Sequence, residues 1–411
     1  QYAIYRPRIA EAEATGDLAA YYLALRGYAY EVPDGHLRLA SPDGALREQA
    51  VGGGFGLALG ELDDGRVIVT HLWEGAAADA AGMAWGTELL SWNGVPIGEA
   101  LERTPVLWAE RPPATTQNRR IEQLRFLARA PVGTAATVTF RTPGRAGTQS
   151  ATLVAAADGE ATLAATDPYP FETAVRVEVD TSLLRDRYGY IRLRVQRFPS
   201  DSAEIVQRAV DAFEAAGVAG IIVDLRGNRG GSDFTVAPVV EPFFTEPDLY
   251  HLVSLFNPQS GRFESIPFNT VDPLIPVISY RVSPDGRAYD GPVAVLVDQS
   301  TSSSAEGIAM LLARLPNSEV FGFYGTSGIL GAGNVKRWLL PGDVQLRILG
   351  GRSLDASGRI QIDSDSSGEG GVQPTRRVAR TAETLRATFQ EGRDLPLEYA
   401  MAWIDEVTAG E

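Results

Sequence analysis

Two stretches of the chain are almost wholly apolar: 218–225 (V-A-G-I-I-V-D-L) and 292–298 (P-V-A-V-L-V-D). Short apolar runs bounded by turn residues read as strands buried on both faces, the habit of parallel sheets. Residues 202–217 place Ile205, Val206, Ala209, Val210 and Phe213 on one side of a 3.6-residue repeat, with Gly217 as the stop. Strands are expected at 188–195 and 318–324, and helices at 304–315 and 394–407. Strands alternating with helices predict an α/β domain with a parallel sheet over 158–411.

The first 157 residues carry a different pattern. Residues 8–27 have a helical period broken near Gly16, and Asp34-Gly35 marks a turn before the short Leu37/Leu39 alternation. This forms an N-terminal helical segment, residues 1–49. A β-rich unit follows at 50–157, with strands after G-G-G-F-G and at 66–73. A short helix ends at Gly82, a hairpin turns at Asn93-Gly94, and two more strands lie at 136–142 and 150–156. Residues 98–128 read as an insertion rich in Arg and Pro within it.

Composition narrows the chemistry. A chain of 411 residues with 44% hydrophobic content supports more than one core, and a net charge of −15 disfavours nucleic acid as a main partner. No apolar run approaches a membrane span. There is no cysteine, one lysine (Lys336) and three histidines (His36, His71, His251), so thiolate chemistry is excluded and a zinc site is not expected. No cofactor is implied.

Five hydroxyl residues, Ser300 to Ser304, separate the second apolar run from the helix after it. Ser303 and Glu306 spell a capping box, S-x-x-E. A hydroxyl at a helix N-terminus also sits where the dipole favours developing negative charge. The other apolar run leads into D-L-R-G-N-R-G-G-S (224–232), whose Gly230-Gly231 pair lets backbone N–H groups point at an incoming carbonyl oxygen. Asp233 and Asp298 lie beside these two turns in sequence.

Together D-L-R-G-N-R-G-G, Y-G-Y-I-R-L, V-A-V-L-V-D-Q-S-T-S-S-S-A-E and G-G-V-Q-P resemble the C-terminal processing and tricorn-type serine peptidases. The β-rich unit resembles a circularly permuted PDZ domain through G-F-G-L, E-G-A-A-A-D-A-A-G-M and L-L-S-W-N-G. The resemblance implies an α/β crotonase/ClpP-like core with an inserted PDZ-like domain. It implies Ser303 as nucleophile, and Ser304 with Gly230 or Gly231 as oxyanion donors. Gly54, Phe55, Gly56 and Leu57 would form a loop that holds a peptide C-terminus.

The position that the Ser–Lys branch of the family fills with lysine corresponds to Gly328 here, with Ile329 beside it; Lys336 lies further on. The tricorn-like branch uses a histidine between the first helices and the PDZ unit, which implies His36 in P-D-G-H-L-R-L as the base. The hydroxyl that orients the family's histidine corresponds to Gly35, and the distant glutamate to Glu369. His71 and His251 read as structural, with His71 alternatively lining the peptide groove. The expectation is a serine peptidase acting on proteins or peptides, periplasmic or secreted by family habit, with oligomerisation left open. The alternatives are a non-catalytic binding protein on the same fold and, ranked last, a crotonase-like acyl-CoA enzyme.

Overall fold

A computed structural model of the chain describes residues 2–40, 44–166, 177–197, 199–265, 281–365 and 367–410. The chain divides into two units. The first comprises Gln1–Pro170, Arg337–Arg347 and Ala379–Leu395; the second comprises Phe171–Lys336, Ile348–Val378 and Pro396–Glu411.

In the first unit, helices Tyr2–Thr15 and Leu18–Ala29 are separated at Gly16, which has φ 69°, and Asp17 caps the second helix by accepting from the Ala20 N–H. Arg26 on that helix is buried. Its guanidinium donates to the carbonyls of Leu107, Ala109 and Leu39 and to the hydroxyls of Tyr22 and Tyr30. The chain between this helix and the strand Arg38–Ala40 is therefore anchored at Leu39. That strand pairs antiparallel through Arg38↔Arg347 and Leu39↔Leu346.

The β-rich part of this unit is an antiparallel sheet in the order Leu57–Glu61, Val67–Leu72, Glu88–Trp92, Ala135–Arg141, Gln149–Val154, with Val95–Pro96 paired beside Glu88–Trp92. Asn93 and Gly94 take φ 50° and 77°, the left-handed pair that a two-residue hairpin requires. Phe55, Leu57, Val69, Leu89, Leu101, Val138, Phe140 and Leu153 build its core. Much of the expected 98–128 insertion is helical instead, as Ile97–Arg103 and Thr116–Leu127. Leu101, Leu124 and Leu127 on these helices join the same core, and Thr115 caps the second by accepting from Asn118.

The second unit is a six-stranded sheet: Val179–Leu184, Tyr188–Leu193, Gly220–Asp224, Val293–Leu296, Ser318–Gly322, Arg376–Arg377. Here the expectation of a parallel sheet needs correction, because the first pair is antiparallel and only the remaining pairings are parallel. A turn at Arg185 and Asp186, both with positive φ, joins the first two strands too tightly for any crossover.

The apolar runs are explained by the two faces. Ile221, Val223, Val293 and Val295 face a core with Val206, Val210, Phe213 and Ile308. Ile222, Ala294 and Leu296 face another with Met401, Trp403 and Ile404 of helix Leu395–Thr408. Helix Ser202–Ala216 ends at Gly217 in the left-handed conformation. The strands Leu252–Asn257 and Arg262–Ser265, and the long strands Gly331–Leu340 and Val344–Leu354, were not expected from the sequence.

His251 is fully buried here, stacked on Tyr250 at 4.0 Å between ring centroids, with Nδ1 3.0 Å from Ser353 Oγ. Burial pushes its pKa from 6.5 down to about 3. The folded ring thus refuses a proton that the unfolded ring accepts, so stability falls as pH drops below 6.5 and continues to fall towards pH 3. Urea denaturation at pH 7 and pH 4.5 is expected to show a loss of about 3 kcal/mol from this residue. The His251→Gln variant should lose correspondingly less over the same interval.

Candidate active site

The carboxyl ends of the adjacent parallel strands Gly220–Asp224 and Val293–Leu296 open into the two turns singled out above, the usual place for a site in an α/β sheet. Asp298 is buried and knits them together. Its Oδ1 accepts from the N–H groups of Ser300 and Thr301 at 3.0 and 2.8 Å, and its Oδ2 accepts from the N–H of Gly227 at 3.0 Å. The Thr301 hydroxyl donates to the carbonyl of Leu225 at 2.9 Å. Asn228, fully buried, donates to the Leu193 carbonyl at 2.9 Å, and its own carbonyl accepts from the N–H of Ser302 at 3.0 Å.

Ser303 caps helix Ser304–Leu312 at φ 57° and ψ −130°. A non-glycine residue there is strained, as at the sharp strand-to-helix turns that present nucleophiles. The Ser303 N–H donates to Glu306 Oε2 at 2.9 Å. The same carboxylate accepts from Thr326 Oγ1 at 2.6 Å and from the N–H groups of Gly328 and Ile329 at 2.6 and 2.9 Å. Burial pushes the Glu306 carboxyl above its ordinary range, against four hydrogen bonds that favour the carboxylate. Thr326 relays the contact to G-G-V-Q-P, since its hydroxyl also accepts from the Val372 N–H at 2.8 Å.

The glycine pair sits against this turn. A Cβ on Gly230 would lie 2.6 Å from the Ser302 carbonyl oxygen and 2.8 Å from both Ser303 Cβ and Ser304 N. A Cβ on Gly231 would overlap the carbonyl oxygen of Gln196, and φ here is 154°. Only glycine fits at either position. The Gly230 N–H donates to Asn228 Oδ1 at 2.9 Å. The N–H groups of Ala305, Glu306 and Gly307 are taken by the carbonyls of Ser302 and Ser303. Among the described residues, the amides of Gly231 and Ser304 have no acceptor. Two unbonded amides beside a strained serine can hold an oxyanion. Gln196 forms one wall: it bridges to Gly231, its Oε1 accepts from Ser304 Oγ at 3.3 Å, and its buried Nε2 has no partner among the described residues.

His36 belongs to the first unit and is half-buried. Its N–H donates to Asp34 Oδ1 at 2.7 Å, and its Nδ1 lies 3.5 Å from the same oxygen. Burial would raise the Asp34 carboxyl, but hydrogen bonds from the His36 ring and from the backbone of His36 and Leu37 outweigh it and hold the carboxyl below its ordinary range.

Glu369 is exposed in a turn where Asp365 accepts from the Ser367 N–H and hydroxyl. Lys336 is exposed on Gly331–Leu340. Asp233 accepts from the Tyr250 hydroxyl at 2.9 Å. Gly54, Phe55, Gly56 and Leu57 are all buried: Gly54 sits between the strands Arg129–Ala130 and Ala156–Ala157, and Leu57 starts the end strand of its sheet. His71 is exposed, with its ring 4.1 Å from that of Trp73.

Sequence reading missed Asn228, Gln196, Thr326 and Asp34 as parts of these sites. Asp34 and Asn228 carried a local signal, an Asp or Asn two residues before a residue of interest. Gln196 and Thr326 carried none, because their partners are distant in sequence.

The family model described as Peptidase family S41 matches residues 187–378. The nisin-resistance protein of Lactococcus lactis subsp. lactis is 29% identical over 103 residues, which are 25% of this chain and 31% of that protein. The chain thus matches about a third of the length of that relative. Mature CPAF complexed with lactacystin superposes with a TM-score of 0.60 at 13% identity, covering 95% of this chain and 88% of that one. Mature CPAF alone gives 0.60 at 14% identity, covering 95% and 86%. These structures share the fold. Among the described residues no helix is long and apolar enough to cross a membrane.

Replacing Glu306 by Gln puts an NH2 group where two donors need an acceptor. The Glu306→Gln variant is expected to lose about 2–4 kcal/mol in urea denaturation. Its Ser303 should also react more slowly with a fluorophosphonate at temperatures where the protein remains folded.

Proposed function

We propose that this chain is a serine peptidase that hydrolyses peptide bonds, with Ser303 as nucleophile and His36 as base. The observation that carries the reading is the Ser303 turn, a strained serine at a helix N-terminus flanked by two unbonded amides. The Ser303 hydroxyl attacks the scissile carbonyl and passes its proton to His36. The amides of Ser304 and Gly231 stabilise the oxyanion. Gly231 is preferred to Gly230 because the Gly230 N–H is already committed to Asn228. His36 then protonates the departing amine, and the C–N bond breaks to leave an acyl-Ser303 ester. Water, deprotonated by His36, hydrolyses the ester.

His36 is chosen over Lys336 by its place in P-D-G-H and by the resemblance to the tricorn-like branch. In this reading the core is of the crotonase/ClpP kind. The 50–157 segment is a PDZ-like module that recognises peptide C-termini or gates the site. The end position of strand Leu57–Glu61 in its sheet supports addition of a peptide strand. The burial of the 54–57 loop supports a scaffolding role for those four residues in that recognition. Glu369, exposed in its turn, is kept only as an outer partner of the site. A periplasmic or secreted location fits a peptidase of this type.

A fluorophosphonate probe on the intact protein tests the assignment. Wild type should label, and both Ser303→Ala and His36→Ala should lower labelling by roughly 100-fold or more. Labelling that survives His36→Ala and vanishes in Lys336→Ala would transfer the base role to the lysine. A wild type that stays unlabelled with hydrophobic C-terminal peptides present would support a binding protein instead.

A further inference from the structure

A serine–histidine pair needs something to hold the imidazole in one tautomer, with one nitrogen bare towards the serine and the other protonated and tied back. Gly35 carries no side chain for this, and Glu369 is exposed in a turn built around Asp365. The residue that meets His36 within its own loop is Asp34. One oxygen, Oδ1, accepts the His36 main-chain N–H at 2.7 Å and lies 3.5 Å from Nδ1. The main-chain bond fixes the carboxylate relative to the ring that follows it.

The loop is held at both ends. The Leu37 N–H donates to the Asp34 carbonyl at 3.0 Å, and the Arg26 guanidinium holds the Leu39 carbonyl at 2.8 Å. The nearest cation along the strand, Arg38, is paired with Glu110 at 2.9 Å. Asp34 and His36 are both partly shielded, with side-chain exposures of 33% and 19%, so their interaction is less screened than that of a surface pair.

We propose that Asp34 is the positioning residue of His36: its carboxylate holds the ring with Nδ1–H turned back on Asp34, the tautomer in which Nε2 is unprotonated and can act as base. This rests on the peptidase reading for its effect on rate, but not for the orientation itself. Asp34 acts through His36 and has no contact with the reacting atoms in this scheme. The orientation costs no separate element, because acid and base come from one turn.

The test is Asp34→Asn in the full chain. Asparagine keeps a carbonyl oxygen for the His36 N–H and so preserves the turn while removing the charge; circular dichroism checks that it folds. Nitrogen-15 spectra of the neutral imidazole report the tautomer independently of activity. Wild type should show His36 protonated at Nδ1, and Asp34→Asn should show a mixture of tautomers. In peptide hydrolysis the variant should lose kcat by roughly 100-fold with KM little changed. An identical tautomer distribution in both proteins would overturn the proposal, as would a tautomer change with kcat unaltered. A tautomer change in a protein whose wild type neither labels nor hydrolyses would uphold the orientation by Asp34 and sink the peptidase reading alone.

Discussion

The Glu306 carboxylate is the constraint on which the Ser303 turn depends. Burying an ionised carboxyl costs several kcal/mol unless donors meet it. Here a hydroxyl and three amides do so, from Ser303, Thr326, Gly328 and Ile329. The first of these bonds holds Ser303 in a backbone conformation that it would otherwise leave. The others fasten the 326–329 loop, the segment that carries a lysine in the Ser–Lys branch of the family that the sequence resembles. In this chain that loop presents amides to a carboxylate. One side chain therefore accounts both for the strained serine and for what the loop does without a lysine.

Loops in both units share a simpler device. An Asp or Asn side chain accepts the N–H two residues on, closing a small ring that sets the direction of the chain. Asp224 does this for Arg226, Asn228 for Gly230, Asp298 for Ser300 and Asp34 for His36. In each case the side chain has capacity left over. Asp224 also takes the Arg226 guanidinium and the Tyr190 hydroxyl, Asp298 reaches across to Gly227, and Asn228 to Leu193. In the second unit the turns are thus formed locally and then tied to one another.

This explains what could be read from the sequence. The 218–225 and 292–298 runs announced strands because both faces are buried, and the Val206–Phe213 period announced a helix because one face is. The break at Gly16 and the hairpin at Asn93-Gly94 were legible because positive φ demands particular residues. The helices of 97–127 were hidden by Arg and Pro on their flanks and exposed faces. The strands Gly331–Leu340 and Val344–Leu354 were hidden because their exposed stretches mix polar and apolar residues without strict alternation. At the site, Ser303, Gly230 and Gly231 were legible as a motif. Glu306 was legible only as a cap, since its partners at 326–329 lie beyond any local pattern.

The two-sided burial of the sheet has a kinetic side. Gly220–Asp224 pairs with Val293–Leu296, a strand from far along the chain, and Ser318–Gly322 pairs with Arg376–Arg377. Such distant pairings close long loops before any contact rewards them, which makes folding slow. One face of the central strands is covered by Ala400, Met401, Trp403 and Ile404 of helix Leu395–Thr408. A chain still emerging from the ribosome lacks that cover. The strands that lead into the Ser303 turn are enclosed on this face only once helix Leu395–Thr408 has docked, so that helix completes the two-sided burial of the sheet.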